Sequence, residues 1–89
     1  MKKHYNITVR GRVQGVGFRH NAKRQADMLG LSGFARNMAD GSVYIETEGS
    51  IESLDEFVLW CHKGPGWSQV IDVKVSVSNV EGLVGFKAY

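Results

Sequence analysis

The amino-acid sequence predicts an α+β sandwich: a βαββαβ order of elements with a short fifth strand, forming one antiparallel sheet that carries two helices on a single face. Three observations point there. Apolar and polar residues alternate strictly from His4 to Arg10 and again from Ile71 to Ser78, the period of a strand with one buried side. Two intervening stretches repeat apolar residues at three- and four-residue spacing, the period of a helix. Glycines stand where these patterns stop.

Taken in order, the first strand sets Tyr5, Ile7 and Val9 against Asn6, Thr8 and Arg10 and is expected to end at Gly11. After a loop with glycines at 11, 15 and 17, Phe18, Ala22, Ala26 and Leu29 form the buried stripe of a first helix, with Lys23, Arg24 and Asp27 left for solvent and Gly30 as its stop. Leu31–Met38 and Ser42–Glu48 read as two strands joined by the turn Ala39-Asp40-Gly41. Ser50 caps a second helix whose stripe is Leu54, Phe57, Val58 and Cys61 and which ends at Lys63-Gly64-Pro65. Ile71, Val73, Val75 and Val77 mark a fourth strand, and Leu83–Tyr89 a shorter last one. Right-handed crossovers then favour the split βαβ arrangement called ferredoxin-like.

Composition bounds the rest. Eighty-nine residues, 43% hydrophobic and 22% charged, suffice for one domain, expected to span residues 1–89, and not for two. No apolar run approaches the roughly 18–20 residues that cross a bilayer, and the start MKKHYNITVR lacks a secretory apolar stretch, so a cytoplasmic protein is expected. Cys61 is the only cysteine and, on a helical stripe, reads as core. Residues 1–40 carry eight Lys or Arg against Asp27 and Asp40, and residues 41–89 carry three against seven acids, so the first half suits an anionic ligand or an ordinary solvated surface.

The glycine-rich loop between the first strand and first helix sharpens that choice. Glycine tolerates the positive dihedrals that turn successive N–H groups into a nest for an anion. The following helix adds its positive end, and Arg19 stands in its first turn, where a guanidinium grips two phosphate oxygens at once. GVGFRH does not fit G-x-G-x-x-G, and no G-x-x-x-x-G-K-[ST] is present, so neither common nucleotide loop applies. On the loop alone, an anion nest and a plain tight connector both remain open. Arg12 and Arg36 are further candidates for the mouth.

The string VRGRVQGVGFR, followed eighteen residues after Arg19 by Asn37 within GFARNMADGSVYIETEG, resembles both signature segments of the acylphosphatases, over essentially the whole chain. The resemblance implies hydrolysis of acyl phosphates to carboxylate and inorganic phosphate. It implies that Arg19 binds the phosphate, that Gln14, Gly15, Val16, Gly17 and Phe18 form the phosphate loop, and that Asn37 positions the attacking water. His20-Asn21 and Gly66-Trp67 depart from the family pattern, which bears on substrate preference.

No cofactor and no metal are expected, since His4, His20 and His62 are scattered along the chain and no carboxylate pair lies near the loop. A monomer is expected. His20 is expected to point along the helix surface rather than take part in the chemistry. The competing expectations are an RNA-binding module, with Phe34 and Tyr44 on an open sheet face, and an anion sensor that does not hydrolyse. Glu46 and Glu48 close to Tyr44 count against RNA, and nucleic acid is not expected as a partner. Trp60 and Trp67 are expected to be packing or surface aromatics with no part in substrate binding.

Overall fold

Tyr5, Ile7 and Val9 are expected to press one face of the first strand into a core, and they do so from the second position of a five-stranded sheet. The computed structural model describes Met1 to Tyr89. Its elements are β1 (Lys2–Arg12), α1 (Phe18–Met28), β2 (Ser32–Asn37), β3 (Val43–Ser50), α2 (Ile51–Lys63), β4 (Gln69–Ser78) and β5 (Phe86–Ala88), with strand order β4-β1-β3-β2-β5. This is the ferredoxin-like arrangement. Ile7, Val9, Ala35, Val43, Ile45 and Phe86 of the sheet meet Phe18, Ala22 and Ala26 of α1 and Leu54, Phe57 and Cys61 of α2 in one buried cluster.

Helix boundaries follow local chemistry. Ser50 Oγ accepts the amide of Ser53 at 3.2 Å and caps α2, and Gly64, at φ 67°, ends it by donating its amide to Trp60 at 2.7 Å. Helix α1 has no side-chain cap; its N-cap is Gly17 in the left-handed region. The two alanines of α1 let it lie close on β2 and β5.

Three local expectations need correction. The sheet is mixed, because β5 pairs parallel with β2 while the other pairings are antiparallel. The chain leaves β4 at one edge and must cross the open face to reach β2 at the other, so it enters running alongside β2. Strand β1 continues past Gly11 to Arg12, and opposite it a bulge at Ile71 shifts the register between Arg10 and Gly11. That bulge turns Ile71 off the apolar face, leaving it 83% exposed, and Val75 and Val77 are also exposed because β4 is the outer strand. The alternation of Ile71–Ser78 thus marks a strand but not a buried side.

His4 shares the polar side of β1 with Asn6 and Thr8 and yet is fully buried. The crossing segment, residues 79–85, lies over it. Its ring meets Glu48 through Nδ1 at 2.9 Å and Glu46 through Nε2 at 2.9 Å, and these partners raise its pKa against the lowering effect of burial. Glu48 in turn accepts the amides of Glu81 and Leu83. Burial by itself would raise the Glu48 carboxyl; His4 and the two amides outweigh it and hold it at about 2.

Candidate active site

The end of β1, the loop after it and the first turn of α1 are continuous in sequence and form one wall of a cleft. Val13 and Phe18 are buried and anchor the two ends of the loop. Between them Gly15 at φ 73° and Gly17 at φ 78° take conformations that a side chain resists, which turns the intervening amides outward. The amides of Gly15, Val16 and Gly17 make no hydrogen bond within the protein. The side chain of Arg19, one residue into α1, makes neither an ion pair nor a hydrogen bond to another residue. A cleft of about 310 Å³ is lined by Val13, Gly15, Gly17, Phe18, Arg19, His20, Ala88 and Tyr89.

Three donors of positive character thus face one space: the loop amides, the start of a helix and a guanidinium. An oxyanion with several oxygens suits that set better than a single carboxylate does.

Gln14 does not line the cleft. Its side-chain amide donates to the carbonyls of Met38 at 2.8 Å and Ser42 at 2.9 Å, which ties the loop to the β2–β3 connection. Asn37, the last residue of β2, directly precedes Met38 and is exposed at that junction. Asn37 thus stands one residue from the Gln14 contact and is not among the residues that line the cleft. The connection is itself braced: Asp40 accepts the amide and hydroxyl of Ser42 and pairs with Arg10 at 3.1 Å, which holds its carboxyl at about 2.

Several residues stand elsewhere than expected. Arg36 pairs with Tyr44 on the open face, with its guanidinium 5.7 Å from the Phe34 ring centre and 5.8 Å from that of Tyr44, away from the loop. His20 lines the cleft instead of following the helix surface. Three contributors have no signal in the local sequence. Asn21 donates its side-chain amide to the carbonyl of Gly17 at 2.8 Å and tightens the exit of the loop. Ala88 and Tyr89 reach the cleft through the β2–β5 pairing, with the Tyr89 amide bonded to Ala35 at 2.9 Å.

Residues 5–88 match the family model described as Acylphosphatase. The chain is 46% identical over 82 residues to an acylphosphatase of Trichormus variabilis, covering 92% of this chain and 81% of that one. It is 44% identical over 87 residues to an acylphosphatase of Alkalilimnicola ehrlichii, covering 98% of each. The crystal structure of an acylphosphatase from Bacillus subtilis superposes with a TM-score of 0.95 at 40% identity, covering 100% of this chain and 99% of that one.

Proposed function

The chain belongs to the acylphosphatase family and is a hydrolase of acyl phosphates; we propose that it works by in-line attack of a water held by Asn37 on a phosphoryl group gripped by Arg19 and the Gln14–Phe18 loop. The observation that carries this assignment is one cleft lined by Gly15 and Gly17, whose amides make no hydrogen bond within the protein, and by Arg19, whose side chain has no partner, while Val16 packs toward the core.

Carboxylic acids have pKa values of about 4, so an acyl phosphate expels its carboxylate without needing a proton. The remaining barrier lies in the charge on the phosphoryl oxygens and in the placement of water. Arg19 and the amides answer the first by facing those oxygens in a fixed geometry. Asn37 answers the second, since its amide both donates and accepts and orients a water without deprotonating it. The proton passes to a phosphate oxygen. No step calls for a metal or a cofactor.

Residues 1–89 are read as one domain, acting as a monomer in the cytosol. The single buried cluster supports the first point, and the free buried thiol of Cys61 fits a reducing compartment. No helix is long and apolar enough to cross a membrane. An RNA role is disfavoured because Arg36 already covers the Phe34–Tyr44 pair and Tyr44 donates to Glu46.

The test is hydrolysis of a simple acyl phosphate in EDTA, compared with a phosphate monoester, with inorganic phosphate as competitor. Turnover of the acyl phosphate alone is expected, with competitive inhibition that disappears in Arg19→Gln. Undiminished phosphate inhibition in that variant refutes the role of Arg19.

A further inference from the structure

We propose that His4, Glu46 and Glu81 form a binding site for one divalent transition-metal ion of the zinc class, separate from the catalytic cleft. The three residues come from β1, β3 and the crossing segment, and their ligating atoms lie within 4.8 Å of one another. His4 Nε2 is 2.9 Å from Glu46 Oε1 and 4.0 Å from Glu81 Oε2. Ligands bound at about 2.1 Å around a tetrahedral ion stand roughly 3.4 Å apart, a separation that these two distances bracket.

The ligands are also oriented as metal ligands are. The other ring nitrogen of His4 faces the Glu48 carboxylate at 2.9 Å, the outer partner that fixes a ligating imidazole. Glu48 is itself held by the amides of Glu81 and Leu83. The second oxygen of Glu46 accepts the Tyr44 hydroxyl at 2.8 Å. His4 is fully buried, whereas the Glu81 side chain is 56% exposed and gives an ion access from solvent.

Charge favours the same conclusion. Three carboxylates converge on one imidazole, and none of them is paired with a lysine or arginine. A divalent cation offsets that excess. Imidazole with carboxylates suits zinc, and three protein ligands leave a fourth position for water. Seven residue steps of extended strand, roughly 23 Å, separate His4 from Gly11 at the catalytic end, so the ion would pin the crossing segment to the sheet without touching the phosphate.

The experiment is calorimetric titration of the metal-free full chain with zinc chloride at neutral pH, together with thermal unfolding. One saturable site per chain is expected, with Tm rising by about 10 °C or more when zinc exceeds its Kd a hundredfold. Glu81→Gln, at an exposed position that leaves the fold intact, and Glu46→Gln should each weaken binding at least tenfold and remove the thermal shift. Absence of saturable binding, or unchanged affinity in either variant, overturns the site. Acyl phosphate turnover in EDTA is independent of this outcome, so the two readings fail separately.

Discussion

In the proposed mechanism Arg19 and Asn37 divide the chemistry between charge and position, and their substitution should separate the two. Arg19→Gln keeps a polar side chain on the same first three carbons but removes the charge proposed to face the phosphoryl oxygens. Turnover should fall by about 10³-fold or more, with the urea midpoint nearly unchanged, as measured by steady-state kinetics and denaturation. Asn37→Ala should lower kcat by about 10²-fold while the inhibition constant of phosphate stays constant, because the residue holds water rather than substrate. Both candidates are read from the chain. Arg19 adjoins the glycines whose dihedrals build the nest, and Asn37 belongs to a second motif at the family's spacing. The bracing side chains of Gln14 and Asn21 are not so read, because a polar side chain announces no partner until folding supplies one.

At the scale of elements, the connection between β2 and β3 holds the proposed water site and is set by Asp40. Because bonds from Ser42 and Arg10 lower its pKa to about 2, its carboxylate stabilises this turn fully above its ordinary pKa of 3.8 and loses that effect as the pH falls toward 2. A titration followed through the Ser42 amide resonance should show a midpoint near 2. Ser42→Ala should move it toward 3.8. The outer strand β4 poses a different problem. Ile71, Val75 and Val77 are exposed along an open edge whose Asp72 and Lys74 are its only charges. Lys74→Val should therefore promote self-association, read by light scattering of the native protein. Period-2 alternation identified this strand correctly. It carried no information on which strand would be outermost or where the bulge would turn Ile71 outward.

Across the whole molecule, β5 is the shortest strand and ties the end of the chain to β2, more than fifty residues earlier. Phe86 is buried, with its ring 6.2 Å from that of Phe57, and the next two residues but one reach the cleft wall as Ala88 and Tyr89. Phe86→Ala should lower stability by about 3–5 kcal/mol in urea unfolding, the range for deleting a buried aromatic ring. A loss below about 1 kcal/mol would mean that the strand is docked only loosely.

Local pattern alone determined the order of the elements, the helix stripes, the glycine loop and the arginine beside it, since each depends on residues within a few positions of one another. The family resemblance added Asn37 and the reaction. Tertiary structure decided the parallel entry of β5, the exposure of β4 and the gathering of His4 with Glu46, Glu48 and Glu81. Those features depend on which segments cross which face of the sheet, and backbone hydrogen bonds accept any partner strand whose register and direction the rest of the chain permits.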